Sequence, residues 1–181
     1  MDVKTVILLI LAGVLANNYA FEKFLGLTPL LGWAKKGQKL LVMGLAVAIV
    51  TLLATAILWP LQNLVLAPLG LEFLSLLCSV AVILALVYLL GAIFKKSFGA
   101  FFPLVALNSV VLGMSVEAAS LSFIEALLAS LGVGLGFLAA LFLMSGVERR
   151  IQPDRMPKAF RGLPGSLLAA GIISMALLAF K

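Results

Sequence analysis

A chain of 181 residues that is 64% hydrophobic and 11% charged, with mean hydropathy +1.26, cannot fold as a soluble domain. Soluble proteins run at roughly 45–50% apolar and about 25% charged residues, and so few polar groups could not cover so much apolar surface. The net charge of +6 does not point to nucleic acid, because the basic residues lie in short clusters between apolar runs and not on one continuous face. The absence of histidine and the single cysteine, Cys78, exclude histidine-ligated haem, histidine-containing zinc sites and an internal disulfide. What remains is an all-α integral membrane protein, a single transmembrane domain over residues 1–181.

Six apolar runs follow one another. The first begins near Val6 and continues to Trp33. As one helix it would be about 42 Å long at 1.5 Å per residue, against a hydrocarbon core of roughly 30 Å. Inside it lie Asn17, Asn18, Glu22 and Lys23, then Gly26 and Thr28-Pro29. A charge at mid-bilayer costs at least ~2.5–3.5 kcal/mol, so a break is expected here, with a short helix or re-entrant piece completing the crossing. Pro29 is expected to push Thr28 out of the helical region. No signal-peptide cleavage site follows the run.

The second run covers about Leu40 to Leu61, ending at Trp59-Pro60, and the third about Leu71 to Phe94. The fourth starts near Ala100 and fades by Ser115. It is short, with Pro103 near its start and Asn108-Ser109 inside it, so it is expected to be interrupted like the first. The fifth extends from about Phe123 to Val147. Its Gly132, Gly134 and Gly136, with Ala129 and Ala140, form a small-residue pattern that lets neighbouring backbones approach. The sixth runs from about Leu163 to Phe180. Spans 1 and 4 open successive three-span halves, approximately 1–96 and 97–181. An odd number of spans per half inverts the second relative to the first. Interrupted spans at matching places are the sequence mark of an inverted repeat around a central site.

Ten of the thirteen basic residues fall in loops on one side of such an arrangement: Lys35, Lys36, Lys39, Lys95, Lys96, Arg149, Arg150, Arg155, Lys158 and Arg161. The other side holds Asp2, Glu72, Glu117 and Glu125. The positive-inside rule places the basic loops in the cytoplasm of a bacterial inner membrane, with both termini outside. The candidate ion-path or central-site residues are those at the two breaks: Asn17, Asn18, Glu22, Lys23, Thr28, Asn108 and Ser109. Amides, hydroxyls and the exposed carbonyls of a broken helix are hard ligands for sodium or relay points for protons. The plainer readings are interhelical hydrogen bonding for the asparagines and snorkelling of Lys23 to the cytoplasmic interface.

Asn17-Asn18 followed by Lys23-Phe24-Leu25-Gly26-Leu27-Thr28-Pro29, then Lys35-Lys36, resembles the opening of the RnfA/NqrE type of membrane subunit. These are six-span components of Rnf electron-transport complexes and sodium-pumping NADH:quinone oxidoreductases. Phe102-Pro103-Leu104 with Asn108-Ser109-Val110-Val111-Leu112-Gly113 resembles the family's second signature. Glu148-Arg149 and Pro157-Lys158-Ala159-Phe160-Arg161-Gly162 resemble its last cytoplasmic loop. The resemblance implies a non-catalytic component of an ion-translocating oxidoreductase. Its implied partners are flavin- or quinone-handling proteins and an oppositely oriented RnfE/NqrD-like sister subunit. It also implies a 2Fe-2S cluster shared with the sister, two cysteines coming from each chain. Here those two positions are Thr28 and Ser109, and Cys78 matches neither. Hydroxyls stay protonated and are hard donors where a cluster relies on thiolates. No cofactor or metal is therefore expected on this chain, whose part would be structural or in ion passage. The alternative is a small inverted-repeat secondary transporter or membrane binding module that has lost the redox role. A soluble enzyme is excluded, since no nucleophile–base pair, metal cluster or phosphate-binding loop occurs.

Overall fold

Apolar runs without alternation leave the backbone one way to satisfy its own polar groups in hydrocarbon, the helix. The computed structural model describes residues 3–33, 38–93, 102–106, 108–151 and 156–180, and within them it is helical, with no strand. Helix α1 (Val3–Leu11) widens into a π turn over Ala12–Ala16 and stops, and α2 (Leu27–Trp33) follows after ten residues of turns. The remaining helices are α3 (Gln38–Pro60), α4 (Ser75–Ile93), the short α5 (Phe102–Ala106), α6 (Ser109–Ala118), α7 (Phe123–Arg150) and α8 (Leu163–Leu177). Among the described residues, three segments are long and apolar enough to cross a membrane: Leu40–Leu66, Glu72–Ala92 and Phe123–Arg150. Val6–Ala16, Leu104–Ala118 and Leu163–Leu177 are shorter apolar helices. Lys35, Lys36, Lys95, Lys96 and Arg155 lie outside the described residues.

Two expected boundaries move. The second run does not end at Trp59-Pro60. Pro60 is part of the helix, and the chain continues beyond it as a π turn over Leu61–Leu66. Thr28 is helical, because Pro29 falls in the first turn of α2, where a missing N–H costs nothing; the N–H of Leu30 reaches the Gly26 carbonyl at 3.1 Å.

The core is the pair α3 and α7. Half of each apolar stretch is buried, against 17% for α4, which lies at the periphery. The two run antiparallel, Gly44 lying against Leu138 and Gly134 against Ala48. The Glu125 carboxylate starts α7 by accepting the Ser122 N–H and hydroxyl at 3.2 and 2.7 Å, a reciprocal cap. Arg149 and Arg150 close its last turn, where cations complement the helix dipole. The apolar core holds a minority of buried polar side chains, and the outer surface is apolar as well. Thr51, Ser79 and Ser115 are buried with hydroxyls bonded back to carbonyls one turn earlier, while Leu45, Ile49, Leu77, Leu84 and Ile172 are exposed. Lipid tolerates that surface and water would not.

The glycine pattern of α7 divides between two neighbours. Gly132 and Gly136, one turn apart, receive α1, and Gly134 receives α3. A methyl on Gly13 would sit 2.7 Å from the Gly132 carbonyl carbon, and one on Gly136 would overlap the Gly13 carbonyl oxygen. Backbone meets backbone there, so no rotamer can relieve the clash. Gly136→Ala should lower thermal stability in detergent by about 1–3 kcal/mol. Gly171→Ala in α8, where an added methyl meets nothing within 4 Å, should be neutral or stabilising by up to about 1 kcal/mol.

Candidate functional site at the two helix breaks

The first break begins at Asn17, whose backbone (φ −110°, ψ 44°) leaves the helix while its N–H closes the π turn on the Ala12 carbonyl at 2.6 Å. Asn18 does the work of the missing helix. Its Nδ2 donates to the carbonyls of Val14 (2.8 Å) and Gly136 (2.9 Å), and its Oδ1 accepts the Ala20 N–H at 3.0 Å. Its own carbonyl accepts the N–H groups of Phe21 and Glu22 at 3.1 and 2.7 Å. Tyr19, Ala20 and Phe21 are buried behind it. The chain then turns through Phe24 at φ 52° and Gly26 at φ 71°; a left-handed phenylalanine is uncommon and held only by its surroundings.

The second break lies between α5 and α6 and uses the same device. Asn108 is extended (ψ 115°), and its Oδ1 accepts the Val110 N–H at 3.0 Å. Its carbonyl accepts from Val111 and Leu112 at 3.1 and 3.4 Å. Each asparagine thus takes the N–H two residues on with its side chain and those three and four residues on with its carbonyl. Asn108 Nδ2 is buried with no hydrogen-bond partner among the described residues.

Tertiary structure brings the breaks together. The Gly26 N–H donates to Ser109 Oγ at 2.8 Å. A side chain on Gly26 would meet the Phe137 ring at 2.7 Å, Val110 at 2.9 Å and Asn108 Oδ1 at 3.0 Å, so glycine is required by space as well as by φ. Leu25 packs on Gly113. The Tyr19 hydroxyl donates to Glu117 Oε2 at 2.6 Å, and Lys23 forms an ion pair with the same oxygen. The Lys23 ammonium lies 4.2 Å from the centre of the Tyr19 ring, a cation–π contact.

Lys23 therefore does not snorkel to the basic end. It is held near the end of α6 by Glu117, four residues before Leu121, whose carbonyl accepts the Trp59 indole N–H at 2.8 Å. Arg149 and Arg150 are at the other end of α7. A carboxylate and an aromatic face within reach hold the ammonium locally. Sequence reasoning missed Glu117 as the partner, having only its opposite sign as a signal across 94 positions.

A cavity of about 160 Å³ opens beside this cluster, with Asn17, Tyr19, Met114 and Glu117 among its lining residues. Asn18, Lys23, Asn108 and Ser109 thus join one connected region, and Asn17 faces its cavity. Glu22 lies on the other side of the break, with Asn18 and Ser174. Thr28 is exposed near the start of α2 and makes no side-chain hydrogen bond among the described residues.

The family of Rnf-Nqr subunits, described as membrane proteins, matches residues 6–181. The chain belongs to the Rnf-Nqr family. It is 37% identical to the A-type component of the ion-translocating oxidoreductase complex of Syntrophotalea carbinolica, over 98% of this chain and 96% of the relative. It is 35% identical to the A-type component of the Na⁺-translocating ferredoxin:NAD⁺ oxidoreductase complex of Acetobacterium woodii, over 98% and 97%. To the corresponding component of the ion-translocating complex of Rhodobacter capsulatus it is 32% identical, over 96% and 95%. As an Rnf-Nqr member it is a multi-pass membrane protein.

The iron–sulfur cluster implied by the resemblance does not fit the side chains present. Ser109 Oγ already accepts the Gly26 N–H, Thr28 is exposed, and the only thiol, Cys78, is on α4. No group of three or more His, Cys, Asp or Glu side chains able to hold a metal occurs among the described residues. Protonated hydroxyls cannot replace cluster thiolates. In this Rnf-Nqr chain Ser109 acts as the acceptor that joins the two breaks. Ser109→Ala should cost about 1–3 kcal/mol in thermal unfolding, by leaving the Gly26 N–H unpaired. Thr28→Ala should stay within about 0.5 kcal/mol.

Proposed function

We propose that this chain is the A-type membrane component of an ion-translocating oxidoreductase complex in a bacterial inner membrane. The observation that carries the reading is the match over residues 6–181, together with relatives named as this component that align over nearly their whole length. In this reading the chain crosses the bilayer six times. α1 with α2 makes the first interrupted crossing and α5 with α6 makes the fourth. The halves 1–96 and 97–181 are inverted repeats, both termini lie outside, and the basic loops are cytoplasmic. The equivalent capping by Asn18 and Asn108 supports the inverted relation.

Its partners are the flavin- or quinone-handling members of the complex and an RnfE/NqrD-like sister subunit. The chain is not catalytic by itself. Its contribution is a polar passage at the breaks, where Asn17, Asn18, Glu22, Lys23, Asn108 and the Ser109 hydroxyl offer oxygen ligands and fixed charge inside an apolar bundle. The ion is sodium or a proton. A second reading, a transporter or binding module released from electron transfer, is favoured by one observation: both cluster positions carry hydroxyls, and one of them is committed to the Gly26 N–H.

Affinity purification of the tagged full chain in mild detergent tests the assignment. Membrane and flavin-containing partners should co-purify, and a chain recovered alone overturns it in favour of the second reading. In membrane vesicles, Asn108→Leu should lower ion uptake about tenfold, equivalent to about 1.4 kcal/mol on the barrier, while the complex still assembles. Unchanged uptake would remove the breaks from the ion path.

A further inference from the structure

We infer that a cleft between the π turn after α3, the start of α4 and the end of α6 binds a primary ammonium group. The cleft has a volume of about 450 Å³, and Gln62, Asn63, Glu72, Ser75 and Ser120 supply its polar lining. The other described lining residues are leucine and alanine. It lies where the apolar stretch Leu40–Leu66 ends. Because α3 and α7 are antiparallel, this is the end of the pair away from Arg149 and Arg150.

Hydrogen bonds already made leave the lining rich in acceptors. Gln62 is 5% exposed, and its Nε2 donates to Ser79 Oγ at 3.1 Å. Its Oε1 is buried with no hydrogen-bond partner among the described residues. Asn63 Nδ2 donates to the Trp59 carbonyl at 3.2 Å, while its Oδ1 makes no hydrogen bond among the described residues. Ser120 Oγ gives its proton to the Glu117 carbonyl at 2.8 Å, so toward the cleft it offers lone pairs. Glu72 is exposed and makes no ion pair or side-chain hydrogen bond among the described residues. Its carboxylate is the one charge among the described lining residues, and an ionised carboxylate only accepts.

These features select the ligand. An anion would meet a carboxylate and few donors. A bare metal ion needs oxygens closing around it at about 2.0–2.6 Å, and a cleft this wide, with leucine and alanine in its wall, does not close on one. A quaternary ammonium has no N–H to give and is held by aromatic faces, and no aromatic residue is among the described lining. A primary ammonium brings one positive charge and three donors on an apolar stem. Glu72 balances the charge, Asn63 Oδ1 and Gln62 Oε1 accept N–H groups, and the leucine and alanine side chains receive the stem. The terminal torsion of glutamine is broad, so a small turn brings Oε1 to the donor and pairs an acceptor whose burial alone is costly. The ammonium can belong to a free amine or to the headgroup of an aminophospholipid, since the cleft adjoins the end of a membrane-crossing stretch.

The test uses the full chain, purified in detergent, with thermal unfolding followed against ethanolamine hydrochloride while choline chloride holds ionic strength constant. Wild type should gain about 5–10 °C when ethanolamine is a hundred times its dissociation constant. Glu72→Gln, at an exposed position, should fold normally and lose that rise. Gln62→Leu should need about tenfold more ethanolamine for the same rise; if it does not yield folded protein, Glu72→Gln decides alone. Equal rises in ethanolamine and choline, or an ethanolamine rise retained in Glu72→Gln, overturn the site. A rise in sodium chloride that matches the ethanolamine rise assigns the cleft to any small cation and overturns the ammonium assignment. Phosphatidylcholine vesicles with and without phosphatidylethanolamine separate the two sources. A Glu72-dependent rise with phosphatidylethanolamine identifies the headgroup, and a rise with ethanolamine alone identifies a free amine. No partner protein is needed, so the outcome is independent of whether a complex co-purifies.

Discussion

A helix that stops inside a packed bundle leaves buried backbone N–H and C=O groups, and they must be paired within the protein. Asn18 meets that constraint for the first break. One amide side chain bridges the end of α1 to the Gly136 carbonyl of α7 and caps the turn that follows. It can reach Gly136 only because α1 and α7 are in backbone contact through Gly13, Gly132 and Gly136. The close packing of the glycines and the interruption of the helix are therefore one arrangement. Larger side chains on that face of α7 would move α1 away and leave the broken end unpaired.

From that anchor the polar groups sort to two sides. On one side, Tyr19, Lys23 and Glu117 gather at the end of α6 around a shared carboxylate oxygen. On the other, Glu22 turns toward α8 and Ser174. Lys23 takes its counter-charge from Glu117, 94 positions along the chain, and not from its neighbour alone.

The side chains at Thr28 and Ser109 are not the thiolates that the cluster of the resemblance would need, yet the two breaks are in contact. Ser109 shows why the two can be separated. Its hydroxyl accepts the Gly26 N–H and so secures the contact between the breaks, a role that needs a good acceptor and not a thiolate. Thr28, the other position, has no corresponding duty, and its exposure on α2 is consistent with that.

Much of this was legible in the residues themselves. Composition alone required apolar helices. The excess length from Val6 to Trp33, with paired amides midway, required a break, and the proline and Asn108-Ser109 of the fourth run gave its counterpart. The small-residue spacing on α7 announced close packing. These are local properties, set by length, periodicity and side-chain type within one segment. Tertiary structure decided the rest: that the helix continues past Pro60, that Pro29 starts a helix with Thr28 inside it, that Lys23 pairs with Glu117, and that Ser174 closes a cavity with Glu22. Each of these depends on which distant group arrives within a few ångströms. Charge and hydrogen-bonding capacity can be read along the chain, but the partner that satisfies them is chosen by packing.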